Sequence, residues 1–326
     1  MKIMITGGMG FVGHHFIEHF LKTTDWDIVT LDKLTYASKG FDRVRDINVF
    51  DDKRVTFLTN DISQEFPDGI YHEAGDVDYI IHLAAESHVD NSISDPEPFV
   101  LSNVLGTMHL LNFARECENL KGFCYFGTDE VFGPAPEGIN YEVNDRYNCT
   151  NPYSASKAGA EQLCLAYEKC YDMPIFISRS MNIIGERQHP EKFVPLCIRK
   201  IMNGDTVIIH SSADKKVSGS RFYIHARNVA SASHFLLNNF KSRGMYHIRG
   251  EKELSNLELA KKIASIIGLP LKYKMVDFHS SRPGHDLRYA ITDSMSDMGW
   301  VKPLSFDESL EKTIKWTLNK PEWYNI

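Results

Sequence analysis

The sequence predicts an α/β fold, a doubly wound parallel sheet with a smaller α+β C-terminal domain. Three observations carry this. A short apolar run at residues 2–6 passes through a glycine turn into apolar residues at helical spacing. A second apolar run, 27–31, ends on an acid, Asp32. Further buried-type runs at 55–59, 78–85 and 122–127 end in polar loops. Such runs interleaved with helical patterns are the mark of strands covered on both faces.

Composition sets the outer limits. The chain has 326 residues, 43% hydrophobic and 24% charged, which suits one large domain or two fused ones. A net charge of -7 gives no global reason to expect nucleic-acid binding, so an anionic ligand needs a local basic pocket. Six cysteines are scattered without a Cys-x-x-Cys pair or zinc-like spacing, which predicts reduced thiols and no metal. Met1-Lys2 leads directly into an apolar strand, and no run of about 18 apolar residues occurs. The expectation is a cytoplasmic protein without signal peptide or membrane contact.

The first unit is strand, turn and helix. Lys2 to Thr6 is the strand, and Phe11, Val12, His15, Phe16, His19 and Phe20 recur at helical spacing. Between them Gly7, Gly10 and Gly13 fit a G-x-x-G-x-x-G turn. Such glycines allow a tight turn, close backbone approach to a pyrophosphate and close helix–strand packing, with the helix N-terminus facing the phosphates. Asp32 follows nineteen residues after Gly13, where an acid binds the adenosine ribose hydroxyls and repels a 2′-phosphate. NAD is therefore expected over NADP in a Rossmann-type sheet.

The third run ends at Asp61, placed either to contact the adenine ring or to cap the next turn. Asp78 to Ala85 reads as a buried strand running into small residues, which let a cofactor lie close to the sheet edge. The polar loop Glu86 to Ser92 follows, in the usual place for ligand contacts. A helix is expected over 96–117, with Asn103 bonding either a neighbouring loop or a ligand. The strand 122–127 ends in Thr128, Asp129 and Glu130. Adjacent carboxylates are costly to desolvate unless paired proton transfers use them.

Residues 134–152 read as a surface loop or short hairpin, and a helix opens at Tyr153 with Ala158, Leu163, Cys164, Ala166 and Tyr167 as its buried stripe. Tyr153 and Lys157 stand at i and i+4, on one face of that helix. An ammonium beside a phenol favours the phenolate, which can take a proton from an alcohol. Strands follow at 174–180 and 207–210. A Ser255 to Glu258 capping box opens a helix through Ile267, and a last helix covers 307–319.

These motifs together resemble the extended short-chain dehydrogenase/reductase superfamily. Within it, Asp32 to Ala37, Ala84 to Asp90, Thr128 to Gly133 and Arg282 to Asp286 resemble nucleoside-diphosphate-glucose 4,6-dehydratases. The resemblance runs from residue 1 to about 318, and the Asp129-Glu130 pair is its specific part. It implies NAD-dependent conversion of a nucleoside-diphosphate glucose to the 4-keto-6-deoxy sugar nucleotide, with dTDP-glucose favoured ahead of UDP-glucose. Tyr153 would deprotonate the 4-hydroxyl, Thr128 hold that oxygen, Glu130 remove the C5 proton and Asp129 protonate the leaving 6-hydroxyl. Lys157 would tune Tyr153 and bind the nicotinamide ribose.

The same resemblance implies a tightly held NAD contacted by Gly7, Gly10, Phe11, Val12, Gly13, Asp32, Lys33, Leu34, Thr35, Asp61, Ile62, Leu83, Ala84, Ala85, Ser87 and Ser102, with Tyr153 and Lys157. Substrate contacts are expected from Ser87, Thr128, Asn182, Lys192, Phe193, Ile208, His210, Arg221, Asn256, Arg282, His285 and Arg288. His210 stands where the family usually has tyrosine, and the usual Ile-Arg-Asp-Trp run is replaced by Val217 to Arg221. Arg221 either takes over a phosphate contact or covers the surface, and the nucleoside stays open among dTDP, UDP, CDP and GDP. An NAD domain of residues 1–181 with a returning segment at about 218–243, a substrate domain of 182–217 and 244–326, and a homodimer are expected. A sugar-nucleotide 4-epimerase or decarboxylase, and a non-enzymatic dinucleotide sensor, are the rival readings.

Overall fold

The structure, a computed structural model, describes residues 1–239, 244–278 and 286–323. Seven strands form one sheet: β1 (Lys2–Thr6), β2 (Asp27–Asp32), β3 (Val55–Thr59), β4 (Tyr79–His82), β5 (Gly122–Thr128), β6 (Ile175–Ser180) and β10 (Met245–Ile248). Their order is β10-β6-β5-β4-β1-β2-β3, and every pair is parallel. The chain therefore reverses direction across the sheet between β1 and β4. In such sheets the crevice at the carboxyl ends of the strands on either side of that point receives the ligand.

Two apolar cores sandwich the sheet. Ile3 and Ile5 point to one face, where α1 (Gly13–Thr23) supplies Phe16, Ile17 and Phe20 and α9 (Ala226–Asn239) supplies Val229 and Leu236. Met4 points to the other, with Leu110, Leu111 and Phe113 of α6 (Gly106–Arg115) and Ala160 and Cys164 of α7 (Pro152–Tyr171). The period-2 alternation of β1 thus feeds both faces. Burying each large side chain is worth about 1.5–3 kcal/mol. The doubly wound fold expected from the sequence is what the chain forms.

A smaller lobe has its own core. There α8 (Phe193–Met202), α10 (Asn256–Ile267) and the last helix, Phe306–Asn319, pack Ile198, Ile263 and Ile314 around Tyr223. Two small sheets belong to this part: β11 (Glu253–Ser255) with β9 (Ser220–His225) and β7 (Asn182–Ile184), and β12 (Tyr273–Asp277) beside β8 (Val207–Ser211). The Ser255–Glu258 capping box forms as expected.

Three expectations need correction. The segment returning to the large unit is α9 and β10, because β9 pairs with β7 and β11 while β10 pairs with β6. The strand expected over 78–85 stops at His82. Its neighbour β1 ends at Thr6, which still takes the Leu83 N–H on its carbonyl and the Ala84 N–H on its hydroxyl. The helix at 96–117 contains a wide π turn at Val100–Leu105. Such turns gather at functional sites because they re-aim side chains. Among the described residues no helix is long and apolar enough to cross a membrane.

Candidate active site

A cavity of about 390 Å³ opens at the carboxyl ends of the strands flanking the reversal. Its first wall is the glycine turn. A Cβ on Gly13 would lie 2.1 Å from the Gly7 carbonyl oxygen, and one on Gly7, at φ +70°, 2.9 Å from the Ala84 nitrogen. Only glycine at these two positions brings the α1 N-terminus this close to the strand ends. Asp32 ties β2 to that turn, its carboxylate accepting from Leu34 N at 2.8 Å and Met9 N at 3.1 Å. Burial raises its pKa, opposed by those amides and by Arg43.

The expected residues Gly7, Gly10, Phe11, Val12, Gly13, Asp32, Lys33, Thr35, Ile62, Leu83, Ala84, Ala85, Ser87 and Ser102 all line this cavity. Leu34 and Asp61 do not. The Leu34 amide is held by Asp32. Asp61 caps the next turn by accepting from Ser63 N at 2.9 Å, and Lys33 lies 3.9 Å from its other oxygen. Asn103 bonds the neighbouring loop, donating to Glu86 O and Ser156 Oγ and accepting from Glu86 N.

Thr128, Asp129, Glu130, Tyr153 and Lys157 meet at the other end of the cavity. Thr128 ends β5, and its hydroxyl caps the short 3-10 turn Asp129–Phe132 by accepting from Glu130 N. That hydroxyl also hydrogen-bonds Tyr153 and donates to Asp129 Oδ1 at 3.2 Å. Asp129 is buried, and its Oδ2 has no hydrogen-bond partner among the described residues. Burial, then the Glu130 charge, pushes its pKa up to about 7. A proton held there near neutrality suits a general acid.

Tyr153 departs from expectation. Burial, Glu130 and Asp129 push its phenol upward, while Lys157 donates instead to the Phe126 carbonyl at 2.7 Å and lies 4.4 Å over the Tyr125 ring. Burial, then the carboxylates, sets the direction of that shift. Burial lowers Lys157 to about 8, and Glu161 opposes that shift. The buried face of α7 is accordingly polar, with Ser154, Lys157 and Glu161 beside Ala158 and Cys164, while Ala166 is exposed.

Of the expected substrate contacts, Asn182, Lys192 and Phe193 reach the cavity with Ser87 and Thr128. Ile208, His210, Arg221, Asn256 and Arg288 do not line it. Ile208 is 45% exposed, and the Asn256 side-chain Oδ1 accepts from the Tyr223 hydroxyl. Arg221 donates to the carbonyls of Ser220, Asp286 and Leu287 and stacks 4.6 Å from Tyr289. Arg288 is forked onto Glu253. Arg282 and His285 lie outside the described residues. Tyr36, His88 and Glu191, from segments placed near the ligand but not themselves expected as contacts, also line the cavity, as does Tyr223, which the sequence did not mark. His88 and Glu191 face each other at 3.8 Å from loops a hundred residues apart, and no local spacing announces that. Glu161 was within reach, because it repeats the i+4 step from Lys157.

The dinucleotide the fold implies fits the residues present. The glycine turn would take its pyrophosphate, Asp32 the adenosine ribose and Lys157 the nicotinamide ribose.

Fold and site together define a dinucleotide-dependent α/β protein with a Tyr-Lys pair beside two carboxylates. The chain belongs to the NAD dependent epimerase/dehydratase family, whose model matches residues 3–248. It is 36% identical over 324 residues to the low-salt glycan biosynthesis protein Agl12 of Haloferax volcanii, covering 99% of this chain and 100% of that one. It is 33% identical over 350 residues to a dTDP-glucose 4,6-dehydratase of Salmonella typhimurium, covering 100% and 95%. Its structure resembles DesIV, a dTDP-glucose 4,6-dehydratase of Streptomyces venezuelae with NAD and TYD bound, with a TM-score of 0.89 at 31% identity over 100% and 99% of the two chains. The family resemblance read from the motifs is thereby borne out.

Proposed function

We propose that this protein is a nucleoside-diphosphate-glucose 4,6-dehydratase, with dTDP-glucose favoured as substrate. The observation that carries the reading is Asp129: a buried carboxyl with one unpartnered oxygen, held near neutrality beside Glu130 in the cavity that also holds Tyr153. An epimerase needs an alcohol oxidised and reduced at C4 and has no use for such a proton donor. Bound NAD supplies hydride acceptance at C4 and hydride return to C6.

The chain's own groups do the rest. Tyr153 takes the 4-hydroxyl proton while the Thr128 hydroxyl holds that oxygen. The 4-keto group acidifies C5–H, and Glu130 removes that proton. Asp129 gives its proton to the 6-hydroxyl, the C6–O bond breaks with loss of water, and Glu130 returns its proton to C5 when C6 is reduced. Asn182, Lys192 and Phe193, which also line the cavity, would hold the diphosphate and sugar.

The test is incubation with dTDP-, UDP-, CDP- and GDP-glucose in parallel, followed by alkali-induced absorbance of a 4-keto product. Inversion at C4 alone, or no turnover with any of the four, refutes the dehydratase. A homodimer belongs to the same reading, supported by the exposed apolar Ile93, Val100 and Leu101 on the helical stretch before α6. Sedimentation reads it directly.

A further inference from the structure

On α7 the stripe that carries Tyr153 and Lys157 continues to Glu161, each four residues after the last. Glu161 is fully buried, as is Arg179 of β6. One oxygen, Oε1, lies where a Cβ on Gly127 would approach to 2.2 Å. The Lys157 ammonium donates to the carbonyl of Phe126, the preceding residue of β5. Carboxylate and ammonium therefore rest on consecutive residues of the strand that ends in Thr128. The other oxygen, Oε2, accepts from Arg179 Nε at 3.0 Å, Arg179 NH2 at 2.9 Å and the Tyr147 hydroxyl at 2.6 Å. Arg179 is fixed in turn by the Val143 carbonyl and by the Phe132 ring, 5.0 Å away.

We propose that Glu161 is a positioning residue: locked by Arg179 and Tyr147 against Gly127, its carboxylate keeps Lys157 an ammonium, seated on Phe126 one helical turn from Tyr153. Its meaning for catalysis rests on the dehydratase reading. Its effect on Lys157 does not.

An amine buried with no anion near it gives up its proton. Lys157 is packed under Tyr125 of β5, near His82 of β4, with Tyr153 and Cys164 on its own helix. His82 is held uncharged by burial and so supplies no opposing charge. Asp129 and Glu130 face Tyr153. Around Glu161 stand Arg179, Tyr147, Tyr125 and Cys149, with His247 of β10 beyond the guanidinium. Among these, Glu161 is the leading group that favours the protonated lysine. A buried ion pair can stand in a protein for specificity rather than stability. Here it sets a negative charge between two buried cations.

The test follows Lys157 itself. Protein labelled with ¹³C at lysine Cε is titrated by NMR from about pH 6 to about pH 11, and the Lys157 signal is assigned by its loss in Lys157→Arg. In Glu161→Gln the midpoint should fall by about one unit, a tenfold change in the ionisation constant. Because that variant leaves Arg179 buried without its anion, Glu161→Gln/Arg179→Met removes both charges together and should show a smaller fall in the same direction. Glu161→Asp should return the midpoint toward that of the unaltered protein. Calorimetric NAD affinity should weaken at correspondingly lower pH in the Gln variants. An unchanged Lys157 midpoint in either folded Gln variant overturns the proposal. Absence of turnover in the unaltered protein would sink the dehydratase reading and leave this titration as the judge of Glu161.

Discussion

Asn151 ties the start of the helix that carries Tyr153 to the carboxylate of Glu130. Its Oδ1 accepts from Ser154 N at 2.8 Å and closes the capping box of α7, while its Nδ2 donates to Glu130 Oε2 at 3.4 Å. One side chain thus fixes both the helix entry and the aim of the proposed C5 base. In Asn151→Asp the cap acceptor survives, and a second carboxylate faces Glu130. Turnover should fall by about tenfold or more while the urea midpoint moves little. Asn151→Ala should also lose about 1 kcal/mol of stability. Full turnover in the aspartate variant would remove Asn151 from the argument.

Asp129 should appear in the pH profile. Its pKa is pushed up to about 7, first by burial and then by Glu130. A general acid works only while protonated, so kcat should decline above that value, about tenfold per pH unit once well past it. Asp129→Asn has no proton to give. Elimination should drop by a factor of about 100 or more, and an isotope effect with C4-deuterated substrate should shrink, because C4 oxidation then precedes a slower step. A decline above pH 7 that survives in the asparagine variant would belong to another group.

The legible parts of the sequence are those fixed by local spacing. The glycine turn, Asp32 at the end of β2, the Tyr153–Lys157 step and the Thr128-Asp129-Glu130 strand end each lie within a single βα unit. Strand periodicity and Gly/Pro punctuation then place them at the carboxyl edge of a parallel sheet. What escaped needs the third dimension. Arg288 meets Glu253 thirty-five residues upstream, and Arg179 meets Glu161 across a strand and a helix. The stop of β4 at His82 depends on where its neighbour β1 ends. An arginine's spacing from a motif does not say which acid claims it first.

Arg288 should prove to be a stability residue. Its Nε and one NH2 bond grip Glu253 at 2.8 and 2.9 Å, NH1 donates to the Pro136 and Ile139 carbonyls, and NH2 also reaches Asn140. Five donors have five acceptors, which leaves the guanidinium no free N–H for a pyrophosphate. Arg288→Ala should lower Tm by a few degrees, because β11 and the 136–140 turn lose their common anchor. The KM for the sugar nucleotide should change by less than about threefold. A tenfold rise in KM at unchanged Tm would restore the phosphate-binding role expected from the sequence.

Acid should destabilise the fold through buried neutral histidines before most carboxylates titrate. His247 sits beside Arg179 with its Nδ1 near Thr292, and burial, aided by Arg179, lowers its pKa to about 3. His82 bridges Thr6 and Thr107 and is also lowered to about 3, chiefly by burial. The folded values lie below the unfolded one of about 6.5, so the unfolded chain binds more protons as pH falls. The stabilisation is complete above about pH 6.5 and is lost progressively toward about pH 3, amounting to roughly 2 kcal/mol per histidine already at about pH 5. In His247→Gln that contribution disappears. The gap in urea-derived stability between the variant and the unaltered protein should therefore close by roughly 2 kcal/mol between pH 7 and pH 5. A gap that stays constant over that interval would show that His247 is protonated in the folded state, contrary to its burial against Arg179.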